Sequence, residues 1–263
     1  MATSKAGKAV PVERESRGIQ SIEVGGRLLR ALVHLGRPVP LKDLAREADM
    51  TPAKAHPYLA SFGKIGLIEQ DAATGHYGLG SLALQVGLIS LQQVDPIRLA
   101  SAELPALAQA VGQTVGIAIW GNRGPTFVRL AEGPTAVHVN MRHGTVVSVK
   151  GTASGRLFAA FAPRDQVLAV LRAEAGRAVR IDAAFEAELA QVREQRFSSI
   201  VNGTVPGITA LAAPVFDGFG TMVLALTAIG PGAMLDPSVD GEAARCLIEC
   251  GALLSRRLGA RGV

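Results

Sequence analysis

Residues 41–80 read LKDLAREADMTPAKAHPYLASFGKIGLIEQDAATGHYGLG, and a change of period inside this stretch decides the fold. Leu41, Leu44, Ala45 and Ala48 recur at helical spacing, with Lys42, Asp43, Arg46 and Glu47 on the other side. Asp49 and Met50 break the run. Thr51-Pro52 then opens a second helix. A threonine hydroxyl accepts an unpaired N–H of the first turn, and proline at the first helical position forfeits no hydrogen bond. Ala55, Leu59 and Phe62 form its inner face. Thr51, Ala53, Lys54, His56 and Pro57 lie toward its start and present an outer surface. Beyond Gly66 the period becomes that of a strand. Residues 67–70 read as one strand, 71–75 as a turn and 76–79 as the returning strand. Two helices on a short link, followed by a small hairpin, make the reading half of a winged helix-turn-helix. Its small-residue helix start suits a DNA major groove.

Upstream, Ser21 is the expected N-cap of a first helix, with Ile22, Leu29, Leu32 and Val33 on one face. Gly25 and Gly26 each weaken it by about 1 kcal/mol relative to alanine, so a close helix–helix approach is expected there. Gly36 stops the helix. Residues 1–18 form a polar leader without apolar period, expected to be disordered. They lack an apolar segment, so no secretory signal is expected, and no apolar run is long enough for a bilayer. The expected location is the cytoplasm.

Downstream, a helix over 81–92 carries Leu82, Val86 and Ile89 as a stripe and reads as a linker and a dimer contact. Asp95-Pro96 starts another helix, to about residue 110. The region 95–260 reads as one α/β domain. Strands are expected at 114–120, 126–130 and 145–149, with a turn at 121–124. Helices are expected at 153–161, 163–171 and 182–193. A hairpin over 209–228 turns at Asp217-Gly218, and a final helix starts at Pro237. The fold class is α+β, with hairpin-linked strands and helices packed on the sheet.

The chain carries a net charge of +5, which suits a nucleic-acid partner without requiring one. Cys246 and Cys250, four apart, give neither a disulfide framework nor a metal set. Three of the five histidines fall in the helix-turn-helix region, and His138 and His143 are a weak pair. No HExxH, GxSxG or Gly-rich phosphate loop is present. Catalysis, metals and cofactors are therefore not expected.

From about Ile19 to Leu258 the chain resembles the IclR-type transcriptional regulators. The resemblance is carried by residues 19–80, ending in GHYGLG at 75–80, by GTASGR at 151–156, by residues 207–215 with their AAPV core, and by 225–231. It implies a winged helix-turn-helix at 19–80, a linker helix at 81–94 and a GAF-like α/β effector-binding and oligomerisation domain at 95–260. It also implies a dimer or tetramer on double-stranded promoter DNA, responsive to a small organic acid and often controlling catabolic genes. Thr51, Ala53, Lys54, His56 and Pro57 match the DNA-facing stretch, with Lys54 the foremost contact. Lys64, the wing residues Thr74 and His76, and Arg27 and Lys42 are further phosphate candidates. Pro57 departs from the long basic residue usual in the family. Inside a helix it also forfeits a hydrogen bond and crowds Ala53, at about 3 kcal/mol. A family member that binds ligand but has lost specific DNA binding is the alternative.

By the same resemblance Ala153 and Ser154, at a helix start, face an effector. Ala210 stands at a position often occupied by cysteine, and Thr227 and Ile229 at serine positions. These replacements imply a less polar pocket, suited to an aromatic acid. Trp120, His138 and Met141 are candidate walls. Residues 198–204 are a candidate lid, with Asn202 offered to a polar ligand group.

Overall fold

The computed structural model describes residues 18–135 and 141–262. The chain divides after Gln93 into two compact units.

The first unit contains α1 (Gln20–Leu35), α2 (Leu41–Glu47), α3 (Pro52–Lys64), β1 (Ile68–Gln70), β2 (Tyr77–Leu79) and α4 (Ser81–Gln93). Leu28, Leu32, Leu44, Ala55, Leu59 and Ile68 form its core. Burying each large aliphatic side chain contributes about 1.5–3 kcal/mol. The inner face of α1 is Gly25, Leu28, Ala31 and Leu32. Ile22 and Val33, expected on that face, are exposed. The helix rotates this way because α3 docks at Gly25, where a Cβ would lie 2.8 Å from Phe62 and 3.2 Å from Tyr58. Ser21 sits inside α1, and the cap position is Ile19, without a side-chain bond. The expected cap at Thr51 is present, its hydroxyl accepting the Lys54 N–H at 3.3 Å. The hairpin pairs Ile68 with Leu79 and Gln70 with Tyr77, and Tyr77 also bridges to Val39. α4 carries no charged side chain and buries none of its residues within this unit.

The second unit contains α5 (Pro96–Val111), β3 (Thr114–Gly121), β4 (Gly124–Ala131), α6 (Ala153–Phe161), α7 (Arg164–Ala175), α8 (Ala183–Gln195), β5 (Ser198–Val201), β6 (Ile208–Phe216), β7 (Met222–Pro231) and α9 (Glu242–Arg257). Asp95 caps α5 by accepting the Ile97 and Arg98 N–H groups, both at 3.0 Å. Asp182 caps α8 through the Phe185 N–H at 2.8 Å. The five strands pair antiparallel in the order β4-β3-β7-β6-β5. α5 and α9 cover one face, over Ile117, Leu211, Leu226 and Leu247. α6 packs on the other, with α8 against it, over Phe127, Leu157, Leu189 and Ala212.

Two expected elements differ. Residues 145–149 form no strand; they meet β4 through a single bridge, Thr126 to Val146. The last helix starts at Glu242, because Pro237 lies in a turn closed by Asp236 on the Ser238 N–H (2.9 Å) and Ser238 on the Gly241 N–H (3.2 Å). Among the described residues no helix is long and apolar enough to cross a membrane.

Candidate nucleic-acid interface and ligand pocket

α3 runs unbroken from Pro52 to Lys64 with Pro57 inside it. Pro57 has no N–H for the Ala53 carbonyl, but both residues are exposed, so water can take that carbonyl. The Pro57 carbonyl in turn accepts the Ser61 hydroxyl at 2.9 Å. Thr51, Ala53, Lys54, His56, Pro57 and Lys64 are all exposed, as are Arg27 on α1 and Lys42 on α2. His56 borders a shallow groove between α3 and the hairpin, shared with Gly63, Gly66, Glu69 and Gln70.

The hairpin turn is built on Asp71. Its Oδ1 accepts the Ala73 N–H (3.0 Å), the Thr74 N–H (2.7 Å) and the Thr74 hydroxyl (2.8 Å). Donation by the Thr74 backbone, then by its hydroxyl, holds the Asp71 carboxyl below the ordinary carboxylate range. The turn's extra stability is thus present above the ordinary carboxylate pKa and is lost as pH falls through the lowered one. Thr74 Oγ1 also takes the His76 N–H at 3.3 Å. Thr74 therefore shapes the turn, and His76 is half-buried beside it.

On the α6 side of the second sheet lies a cavity of about 330 Å³. Its floor is the strand pair β6–β7. Ala210 stands opposite Ile229, and Thr227, two residues back on β7, shares their face. α6 brings Ser154 over this floor, and the Ser154 and Thr227 hydroxyls meet at 2.9 Å, both buried. Phe127, Met141, Val146, Val147, Ile200 and Ile208 give apolar walls, while Ser148, Thr152 and Thr204 add hydroxyls. No charged side chain lines it among the described residues. Thr152 caps α6 by accepting the Gly155 N–H at 3.0 Å, which leaves the N–H groups of Ala153 and Ser154 at the open end of the helix. An anionic group here would be met by helix N–H groups and hydroxyls rather than by a cation.

The model of the bacterial transcriptional regulator IclR C-terminal domain matches residues 89–256, and that of the IclR helix-turn-helix domain matches 21–72. The chain belongs to the IclR family of transcriptional regulators. It is 31% identical over 252 residues to the glycerol operon regulatory protein of Streptomyces griseus, covering 93% of this chain and 98% of that one. The protein of the same name from Streptomyces coelicolor is 27% identical over 250 residues, covering 93% and 98%. Among solved structures, HmgR of Pseudomonas aeruginosa superposes with a TM-score of 0.86 at 36% identity, covering 93% of this chain and 100% of that one. The molecule is thus a regulator with a DNA-binding domain and a carboxy-terminal effector domain, not an enzyme.

In this IclR regulator the cavity gathers five of the expected ligand residues: Met141, Ser154, Ala210, Thr227 and Ile229. Three others do not reach it with their side chains. Ala153 is buried among the packing of α6. Trp120 lies against Phe158, ring centroids 5.8 Å apart, and serves the core. The Asn202 carboxamide oxygen is occupied by the Gly207 N–H at 2.7 Å. His138 lies outside the described residues. The expected lid at 198–204 is in its first four residues the edge strand β5, paired with β6. Of that strand Ile200 lines the cavity, and the turn beyond it adds Gly203, Thr204 and Val205. Sequence reading missed Phe127, Ser148 and Thr152, while Thr204 fell in the expected lid. A capping pattern at Thr152 was there to be found.

Proposed function

We propose that this regulator controls genes for the use of a small organic acid and that a single-ring aromatic acid is its effector. The observation that carries this reading is the lopsided chemistry of the cavity. Apolar walls would hold a ring, and hydroxyls with the α6 amino terminus would hold a carboxylate. About 330 Å³ admits one ring with a short side chain. Ala210 and Ile229 keep the floor apolar.

On DNA, α3 enters the major groove with Lys54 and His56 foremost. Lys64, Arg27, Lys42 and the wing at His76, shaped by Thr74, meet flanking phosphates, while Thr51 and Ala53 at the helix start and the Pro57 ring lie against the backbone. α4 pairs two copies so that their reading helices match a two-fold operator. The protein works in the cytoplasm, where its promoter is.

Sequencing genomic DNA captured by the purified protein tests the first half. Enrichment of a site next to genes of acid breakdown is expected, and recovery of unspecific DNA alone overturns the reading. On the recovered site, Lys54→Ala should weaken binding and lower the salt slope by about one. A thermal-shift screen tests the second half. Stabilisation by aromatic acids is expected. Stabilisation by glycerol or short aliphatic acids alone would remove the aromatic assignment.

A further inference from the structure

The cavity wall from Thr145 to Thr152 has no secondary structure of its own, so its position needs explaining. Its first half hangs on β4: Phe127 donates its N–H to Thr145 and Val147 donates to Pro125, both at 2.9 Å. Beyond Val147 the chain leaves β4 and turns toward α7. There Glu174 accepts the Val149 N–H at 2.9 Å and the Ser148 hydroxyl at 3.3 Å. Ser148 passes this anchorage on. Its carbonyl accepts the Thr152 hydroxyl at 2.7 Å, and Thr152 caps α6. A short relay therefore runs from Glu174 to the turn that carries Ser154.

Glu174 is an unusual residue for its place. It lies in the last turn of α7, where the helix dipole disfavours an anion. It forms no ion pair with a cation among the described residues, and it does not line the cavity. Its two bonds to the wall are what its position achieves, and charge-assisted bonds of this kind are the stronger sort.

We propose that Glu174 is a positioning residue for effector binding: from outside the cavity it fixes the wall at 148–152 and, through Thr152, the amino-terminal turn of α6. The proposal rests on the reading of the cavity as the effector site.

The test compares full-length wild type, Glu174→Ala and Glu174→Gln by amide hydrogen exchange without ligand and by calorimetric titration with benzoate. Glutamine keeps an oxygen for Val149 and a donor for Ser148. In the alanine variant, peptides spanning 146–155 should exchange about tenfold faster while those of β6 and β7 stay unchanged, and glutamine should restore most of the protection. The benzoate Kd should rise about fivefold or more in the alanine variant and recover in the glutamine variant. Unchanged exchange at 146–155 overturns the proposal, as does faster exchange with an unchanged Kd. If wild type binds no benzoate, the aromatic reading fails, and the exchange result by itself decides whether Glu174 holds the wall.

Discussion

Gly155 and Gly26 look alike in the sequence, each a glycine within a helix, yet the structure gives them opposite weights. A Cβ at Gly155 would press on the Ser148 carbonyl and lie 2.6 Å from the Val149 carbonyl. At Gly26 nothing lies within 4 Å. Gly155→Ala should therefore destabilise by about 1–3 kcal/mol and push the cavity wall outward. Gly26→Ala should stabilise by about 0.5–1 kcal/mol. Urea unfolding of the two variants checks both signs. The sequence showed the need for a close approach at Gly25 and Gly26. It did not show which glycine meets α3, because that depends on how α1 is turned. The buried pair Ser154 and Thr227 was half legible: each residue was singled out, but their 2.9 Å meeting joins a helix to a strand 73 residues away.

At the scale of elements, α3 holds Pro57, which the sequence resemblance marks as a departure from the family pattern. The helix passes through Pro57 without a break, so Leu59 and Ala55 on its buried side outweigh one lost bond on its exposed side. Pro57→Ala would return the Ala53 carbonyl its partner. It should raise stability by about 1–3 kcal/mol, read as a higher midpoint of thermal unfolding. No gain would mean that the Ala53 carbonyl is already met in another way. The elements legible in the sequence are those with local signals: Thr51-Pro52 before α3, Asp95-Pro96 before α5, Asp182 before α8 and the Asp217 turn between β6 and β7. In the wall at 145–152, residues 145–149 were misread as a strand because the segment has no local signal. Pro125, Glu174 and Thr204 hold it from distant parts of the chain. Trp120 was drawn into the site by residue type alone, and core packing against Phe158 claimed it.

Across the whole molecule, the face left over is α4. Leu84, Val86, Leu88, Ile89 and Leu91 are each more than half exposed, a concentration that ordinary surfaces avoid. Leu84 and Leu88 lie one turn apart. The double variant Leu84→Glu/Leu88→Glu should shift sedimentation toward the monomer and weaken binding to a two-fold operator more than to a half-site. An unchanged mass would place the oligomer contact elsewhere. The two working surfaces also differ in how they meet the solvent. The cavity is lined by no charged side chain among the described residues, whereas α3 exposes Lys54 and Lys64 to solvent, where, on the proposed reading, they meet phosphates. Screening by salt acts on exposed charges and hardly on buried dipoles. A cell that concentrates its ions under osmotic stress would thus loosen the regulator's hold on its operator while leaving its sense of the metabolite almost untouched. Loss of operator occupancy at raised salt, with the effector affinity unchanged, is the signature of that imbalance.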